Sequence, residues 1–378
     1  MNLFKNFQFS FWHHSVVYVM VFLYGLMVAR FEIPPFLMIQ ATYHSMKTVV
    51  DFRDDEYEII LPDLDSSFLV LEKKIIESIS QGVELRKKLT DRVILPRDSI
   101  QLNTDYLSEK KEKIQASFYG ITITSILEKA DNSTCLRIYI QGHGGDPFKF
   151  DSHKEIRKSS LEGGCDFLSM SMLGLGLNSG EVSFPGRQAF IKLSAGHSND
   201  HEYFQYYFDM NNASKDPLAL FLSGHFYTIT DLLNDYQNIS MIGFSGGGWY
   251  TVWLSALIPE IGTSISYAGS LPLAYHHVIY KNKEITYNPG DWEQTRSDIY
   301  DNYDYWDLYA LMTLDREGLQ NRKTYHVYNN NDNCCFNDPS ASQFKYLSEN
   351  SSLNNKVIIL ENNKHDINPE VVLSLLPK

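Results

Sequence analysis

The chain has 378 residues, 43% of them hydrophobic, which is enough for one large α/β domain with additions or for two small domains. Its formal net charge of −13 argues against nucleic acid as a partner, because phosphate binding needs a basic face. The four cysteines, Cys135, Cys165, Cys334 and Cys335, form no C-x-x-C pair, so we expect no zinc site. The adjacent Cys334 and Cys335 are expected not to bond to each other, because the ring would be strained.

Residues 9–29 contain a charge-free run of membrane-spanning length, with aromatic residues towards its ends. Met27 occupies the place of the small residue that a signal peptidase site would need before Ala29. The segment therefore predicts an uncleaved single-pass membrane anchor within residues 1–30, on an undetermined side of the membrane. A hydrophobic helix packed on the domain, or one lying at an interface, is the alternative.

Residues 31–112 are predicted to form a helical N-terminal extension. Ser66–Leu89 is apolar at helical spacing, with Glu and Lys between the apolar positions, so it predicts an amphipathic helix leaning on the core domain. Pro62 and Pro96 bracket this segment. A structural spacer is the simplest interpretation of the extension.

The pattern of polar and apolar residues changes at Lys113, where we place the start of a domain over residues 113–378. Ile114–Ile126 alternates and is rich in Ile, Thr and Phe, which predicts an antiparallel hairpin at a sheet edge. Leu136–Ile140 then predicts a strand, and Gly142–Gly145 follows it as a Gly-His-Gly-Gly loop. Glycines in such a loop allow the backbone to approach a bound molecule closely.

Further strands and helices alternate along the chain. Residues 163–177 predict a strand and its loop, residues 178–214 are polar, residues 216–234 predict a helix, and residues 265–269 predict a strand. This alternation predicts an α/β fold whose mainly parallel sheet carries helices on both faces.

A strand-turn-helix segment spans Asn238–Leu257, with the helix predicted from Trp249. At its turn, Gly243–Gly247 fits the pattern G-x-S-x-G. A strand that turns at once into a helix strains its corner residue and exposes it, so Ser245 is the candidate nucleophile. The alternative is a turn that cradles a phosphate, but the Lys-Ser/Thr of a P-loop is missing.

Residues 271–320 are too long for a plain connection and are predicted to be an insertion. Aromatic residues and carboxylates interleave within it: Asp291, Trp292, Glu293, Asp298, Tyr300, Asp301, Tyr303, Asp304, Tyr305, Trp306, Asp307 and Tyr309. One interpretation is a pocket wall suited to a sugar or another polyol. The other is a helical insertion that packs its aromatic residues against the core and exposes its carboxylates to solvent.

Two later strands, Thr324–Tyr328 and Val357–Leu360, are followed by Asp332 and His365. Both residues come just past the carboxyl end of a strand, at the edge where Ser245 also opens. A serine hydroxyl needs an imidazole to take its proton and a carboxylate to orient that imidazole, which are the roles we assign to His365 and Asp332. Asp338 is the rival acid, although its place before a predicted helix suggests capping.

Other titratable residues near these motifs are expected to be structural or exposed: His276, His277, His326 and Asp366. The three candidates come in the chain order Ser, Asp, His. Together with the strand-turn-helix corner at Ser245, here called the elbow, and the Gly-His-Gly-Gly loop, they resemble the α/β-hydrolases over residues 113–378. The resemblance implies an α/β-hydrolase fold and an oxyanion hole formed by N–H groups of Gly144, Gly145 and Gly246. His143 is then expected to support the loop through a hydrogen bond, with a role as base as the alternative.

The sequence thus predicts a membrane-anchored serine hydrolase, most simply a carboxylesterase that works through an acyl-enzyme intermediate. Its partners would be a small-molecule or glycan ester, such as an O-acetyl group on a carbohydrate, and a membrane bound through the N-terminal segment. We expect no cofactor and no metal. A peptidase, a lipase and an acyltransferase are the enzymatic alternatives, and a hydrolase-fold binding protein is the alternative without catalysis.

Overall fold

The computed structural model describes residues 64–178, 180–183, 190–193, 201, 204, 215–280, 283–286, 291–295, 297–332 and 334–377. The strands in this part of the chain are β1 Gln101–Ser108, β2 Lys111–Phe118, β3 Ile121–Glu128, β4 Cys135–Gln141, β5 Asp166–Ser171, β6 Gly180–Ser183, β7 Phe190–Leu193, β8 Asn238–Phe244, β9 Ile261–Tyr267, β10 His277–Tyr280, β11 Lys283–Thr286, β12 Lys323–Asn329 and β13 Asn355–Leu360. The helices are α1 Leu64–Ser80, α2 Gly82–Val93, α3 Asp151–Glu162, α4 Leu218–Leu232, α5 Gly246–Leu257, α6 Trp292–Thr295, α7 Tyr305–Thr313, α8 Ser340–Asn350 and α9 Pro369–Leu375.

The central sheet has nine strands in the order β1-β2-β3-β5-β4-β8-β9-β12-β13. The pairs from β5 through β13 are parallel, whereas β1, β2, β3 and β5 pair antiparallel with one another in turn. Two small hairpins, β6-β7 and β10-β11, lie outside this sheet. A mostly parallel sheet whose first strands run antiparallel, with an elbow after the central β8, is the α/β-hydrolase fold, as the sequence predicts.

Helices cover the sheet on both faces because its central strands are apolar on both sides. In β4, Ile138 faces a large core formed with α1, α2, α4, α5, α7 and α8, while Tyr139 faces a smaller core formed with α3 and α9. The outer strand β2 alternates instead, with Ile114, Ala116 and Phe118 buried and the residues between them half-buried. Such alternation belongs to a strand that is covered on one side only.

The predicted hairpin is confirmed, since β2 and β3 pair along their whole length. Tyr119 and Gly120 connect them with φ of 47° and 78°, as a two-residue turn between right-twisted strands requires. The strand β1 adds to the outside of this hairpin and forms the edge of the sheet. The sheet therefore begins at Gln101, upstream of Lys113, and the domain boundaries that we assign remain a prediction.

The predicted amphipathic helix consists of two helices, α1 and α2, separated at Gln81. Gly82 begins the second helix where a Cβ atom would lie 2.2 Å from Leu314 Cδ1, so a residue without a side chain allows this approach. Buried Ile75, Leu89 and Val93 pack both helices into the large core. The extension is therefore part of the packing of the sheet domain.

All four cysteines are paired. Cys135 and Cys165, whose Cα atoms lie 4.8 Å apart, connect the start of β4 to the residue before β5. Cys334 and Cys335 are bonded to each other, which corrects our expectation for this pair. The turn that brings their sulfur atoms together also directs both of their N–H groups at the carboxylate of Asp332.

Within the part of the chain that the structure describes, no helix combines the length and the apolar character needed to cross a bilayer. This finding contradicts the predicted single-pass anchor, and the predicted membrane partner is withdrawn with it. The segment that prompted the prediction, residues 9–29, lies outside the described residues.

Candidate active site

Ser245 stands at the corner between β8 and α5 with φ 56° and ψ −128°. Positive φ is uncommon for a residue with a side chain, and it persists only where the surroundings hold it. The Ser245 N–H donates to Tyr267 O at 2.8 Å, and the Ser245 carbonyl accepts from Gly248 N at 2.7 Å and Trp249 N at 3.2 Å. These bonds fix the strained corner that the sequence pattern predicts.

Two glycines of the motif are needed because backbone passes directly over them. A Cβ atom on Gly243 would lie 2.0 Å from Gly247 O, and a Cβ atom on Gly247 would lie 2.0 Å from Ile140 O in β4. No real Cβ atom approaches a carbonyl oxygen this closely. The first turn of α5 therefore rests directly on β4 and β8, which sets the height of the serine above the sheet.

Asp332 and His365 meet beyond the ends of β12 and β13. His365 Nδ1 lies 2.8 Å from Asp332 Oδ2, in hydrogen-bonding contact. The Asp332 side chain is fully buried, whereas the His365 side chain is 20% exposed. Asp332 Oδ1 accepts hydrogen bonds from Cys334 N at 2.8 Å and from Cys335 N at 3.1 Å. One oxygen of the carboxylate is thus held by the backbone, and the other is left for the imidazole.

The rival acid, Asp338, lies elsewhere in the same loop. Its Oδ1 accepts hydrogen bonds from Ser342 N at 3.1 Å and from Ser342 Oγ at 2.6 Å, in the first turn of α8. These are the contacts of a helix-capping carboxylate. Asp366, beside His365 in sequence, accepts from Asn362 Nδ2 at 2.7 Å through its side chain.

His365 comes close to the elbow through Phe244, the residue before Ser245. The rings of Phe244 and His365 have centroids 4.8 Å apart and are tilted by 33°. The strands that precede the three candidates, β8, β12 and β13, run parallel and end at the same edge of the sheet. The fold therefore gathers the nucleophile candidate and the acid-base pair at one place.

The Gly-His-Gly-Gly loop after β4 approaches the elbow through its first glycine. Gly145 has φ 92° and donates its N–H to Gly142 O at 3.0 Å, which closes a turn and engages that N–H within the loop. Gly142 is the residue that faces the elbow, since a Cβ atom on it would lie 2.7 Å from Ser245 Cβ and 2.8 Å from Gly246 N. Gly144 faces Phe150 instead. The backbone N–H of His143 follows Gly142 directly and is a candidate donor that the pattern did not single out.

The His143 side chain joins a charged cluster beside the elbow. Its Nε2 lies 2.8 Å from Asp291 Oδ2 and 3.5 Å from Glu293 Oε1. The fully buried His201 places Nδ1 3.1 Å from the same Glu293 oxygen and Nε2 3.0 Å from Leu173 O. The His143 side chain thus connects the loop after β4 to Asp291 and to Glu293 of α6.

Two members of the cluster, His143 and Glu293, have strongly shifted pKa values. Burial alone would lower the pKa of His143, but Asp291 and Glu293 outweigh burial and raise it to about 10. Burial would raise the pKa of Glu293, whereas the two histidines, His201 and His143, lower it to about 2. The sequence alone could not predict that these residues lie close together, because they come from three distant segments of the chain.

Most aromatic residues of the predicted insertion belong to the core. Tyr305 and Tyr309 are fully buried, and the Tyr300 hydroxyl accepts hydrogen bonds from Trp249 Nε1 and Trp253 Nε1 at 3.0 and 3.2 Å. Two of the interleaved carboxylates, those of Asp304 and Asp307, pair with Lys74 of α1. These contacts favour core packing over a sugar-binding wall, whereas Asp291 and Glu293 belong to the cluster beside the elbow.

Two other expectations concern histidines. His326 is fully buried, and neither of its ring nitrogens has a hydrogen-bond partner among the described residues. This agrees with a structural role. The side chains of His276 and His277 lie outside the described part of the structure, as does almost all of the polar segment 178–214.

In the comparison with known proteins, this chain resembles solved structures but matches neither a family model nor a curated protein. Acetyl xylan esterase 1 from Thermoanaerobacterium sp. JW/SL YS485 is similar with 14% identity and a TM-score of 0.42, over 84% of this chain and 95% of that one. The S-formylglutathione hydrolase from Agrobacterium tumefaciens has 12% identity and a TM-score of 0.43, over 73% and 95%. Methylesterase BT1017 has 15% identity and a TM-score of 0.45, over 82% and 64%. The fold assignment rests on the chain's own strand order and elbow.

Proposed function

We propose that this protein is a serine hydrolase that cleaves an ester through an acyl-enzyme intermediate. The observation that carries the proposal is the hydrogen bond between His365 Nδ1 and Asp332 Oδ2, formed at the edge of the sheet where Ser245 occupies a strained corner. An oriented imidazole at the same sheet edge as a partly exposed serine is what nucleophilic catalysis by serine requires.

The proposed roles follow from the hydrogen bonds. Asp332 accepts the Nδ1 proton of His365, so the neutral imidazole carries its lone pair on Nε2. This nitrogen takes the proton of Ser245 as the serine oxygen attacks the ester carbonyl, and it then gives that proton to the departing alcohol. Water, activated by the same nitrogen, attacks the acyl-enzyme and releases the acid and the free serine.

The developing oxyanion needs N–H donors that the protein has not already used. Among the described residues, the N–H groups of His143 and Gly246 have no acceptor, and Gly142 brings this part of the loop against the serine. We propose these two N–H groups as the oxyanion hole. Gly246 keeps its predicted role, and the donor of the loop moves from Gly144 and Gly145 to His143.

For the substrate, we propose a short acyl group on a polar alcohol, such as an acetyl ester of a carbohydrate. The pair of His143 and Asp291 lies beside Gly246, the residue after the candidate nucleophile, since a Cβ atom on Gly246 would lie 2.8 Å from His143 Cε1. A long fatty acyl chain placed there would strip water from these charges, which is costly. A polar alcohol would leave them solvated or hydrogen-bonded.

A fluorophosphonate probe tests the proposal directly, because it reacts with activated serines. We expect the wild-type chain to label and Ser245→Ala to remain unlabelled while keeping its circular dichroism spectrum. With nitrophenyl esters of increasing acyl length, turnover should be highest for acetate and lower by about 10³-fold or more in Ser245→Ala. A folded wild-type chain that neither labels nor hydrolyses any ester would favour a non-catalytic binding protein.

A further inference from the structure

The cluster of His143, His201 and Glu293, of which the last two are fully buried, offers three ligand atoms from three separate segments of the chain. His143 lies in the loop after β4, His201 lies between β7 and α4, and Glu293 lies in α6. One ligand atom from each of the three residues lies within 4.8 Å of the others. We propose that these residues bind a zinc ion beside the elbow.

Two of the three ligand-to-ligand distances within the cluster match a shared metal. Two nitrogen or oxygen ligands, each about 2.1 Å from a tetrahedral zinc ion, lie roughly 3.4 Å apart. Glu293 Oε1 lies 3.1 Å from His201 Nδ1 and 3.5 Å from His143 Nε2. The carboxylate oxygen thus stands between two imidazole nitrogens at the separation that coordination to one ion produces.

The surroundings of His201 are those of a metal-binding histidine. Such a histidine usually donates its second ring N–H to a carbonyl or carboxylate, which leaves the other nitrogen for the metal. His201 Nε2 lies 3.0 Å from Leu173 O and can donate to it, so Nδ1 is left with its lone pair facing Glu293.

Two atoms of the cluster lack the hydrogen bonds that burial demands. Glu293 is fully buried, and its Oε2 has no hydrogen-bond partner among the described residues. His143 Nε2 is also buried and has no hydrogen bond to a described residue. It lies 2.8 Å from Asp291 Oδ2, but the angle of that contact is unfavourable for a hydrogen bond. An unpartnered buried carboxylate oxygen is costly, and a cation bound by the same carboxylate would offset that cost.

The set of donors selects the class of metal. Two imidazoles with one carboxylate suit zinc, whereas calcium and magnesium prefer oxygen ligands throughout. A water molecule would complete the coordination. By joining the loop after β4 to α6 and to His201, the ion would fix the segment that carries the proposed oxyanion donor. The site itself does not depend on the proposed hydrolysis.

The experiment measures bound metal on the full-length chain. The protein is treated with a chelator, reconstituted with zinc chloride and desalted, and its zinc content is measured by mass spectrometry. Affinity is measured by competition with a chromogenic chelator. We expect one zinc ion per chain, bound at least about 100-fold more weakly by Glu293→Gln and by His201→Gln, because losing a direct ligand should cost no less than losing an outer-shell partner.

His365→Gln is the matched control, because His365 forms the other three-donor group of the described residues, with Cys334 and Cys335. It should keep full zinc binding. If the cluster variants do not fold, cobalt(II) in the wild-type chain should give the intense visible bands of a four-coordinate ion. A wild-type chain that retains no zinc, or a His365→Gln variant that loses it, would overturn the proposal. A chain that binds zinc but fails to react with fluorophosphonate would overturn only the proposed hydrolysis.

Discussion

Replacing Asp332 by asparagine tests the acid-base pair most sharply, because the structure dictates how the amide must sit. In the wild-type chain, Oδ1 of Asp332 accepts two backbone N–H groups, from Cys334 and Cys335, and Oδ2 faces His365. The amide oxygen of asparagine must take the place of Oδ1, since an NH₂ group there would meet two donors. The NH₂ group then faces His365 Nδ1.

This orientation forces the imidazole into the wrong tautomer. Nδ1 becomes an acceptor, so the proton moves to Nε2, the nitrogen that should take the proton of Ser245. We expect Asp332→Asn to lower turnover by roughly 10⁴-fold, which corresponds to about 5.4 kcal/mol of transition-state stabilisation. The fold should persist, because the two backbone hydrogen bonds to the side-chain oxygen are kept.

The assay compares kcat/KM of wild-type and variant chains with one activated acetate ester at a fixed pH. Asp338→Asn is the control, since asparagine can accept the hydrogen bond from Ser342 N as aspartate does. It should keep activity within about threefold of wild type, in line with an equally good cap. Circular dichroism and urea unfolding confirm that both variants are folded.

The reasoning would be refuted by an Asp332→Asn variant that is folded and retains a tenth or more of wild-type activity. A folded but inactive Asp338→Asn beside an active Asp332→Asn would reverse the two roles.

The remaining predictions concern stability, measured by urea unfolding. Gly247→Ala should destabilise the fold by about 3 kcal/mol, because its Cβ atom would lie 2.0 Å from Ile140 O. Gly262→Ala is the control and should change stability little, because its Cβ atom would lie 3.8 Å from Ile239 O. Equal losses of stability in the two variants would contradict the argument from close approach. Burial lowers the pKa of His326 to about 3, so folding excludes a proton that the unfolded chain binds below its ordinary pKa of 6.5. The free energy of unfolding therefore keeps its full value above pH 6.5 and falls by about 1.4 kcal/mol for each pH unit from there towards pH 3. His326→Leu should lack this fall. If wild type and His326→Leu lose stability equally between pH 6.5 and pH 3, His326 is not the cause.

The elements that carry the candidate site could be predicted from the sequence because their signals are local. The corner at Ser245 follows from glycines at fixed offsets, and the positions of Asp332 and His365 follow from the ends of β-branched strands. The fold class follows from the alternation of strands and helices. Each of these inferences needs only a short window of sequence and the geometry of a parallel sheet.

Contacts between distant segments could not be predicted in the same way. His143, His201 and Glu293 carry no pattern that relates them, and only the packing of the loop after β4 against α6 brings them together. The engaged N–H of Gly145 depends on the type of turn the loop adopts, which a Gly-His-Gly-Gly pattern leaves open. The bonded Cys334 and Cys335 depend on a turn shaped around the carboxylate of Asp332.

The N-terminal helices, whose role the sequence left open, support the elbow helix from its far end. Arg86 of α2 donates from Nε to Ala256 O at 2.8 Å, and Arg322 donates from Nη1 to Ser255 O at 2.7 Å. Both guanidinium groups are buried and satisfy carbonyls in the last turn of α5, where the helix dipole favours positive charge. The opposite end of the same helix begins at Gly246, beside Ser245, where the proposed mechanism develops negative charge. Arg86 thus ties the N-terminal extension to the far end of the helix whose first residue, Gly246, is the proposed oxyanion donor.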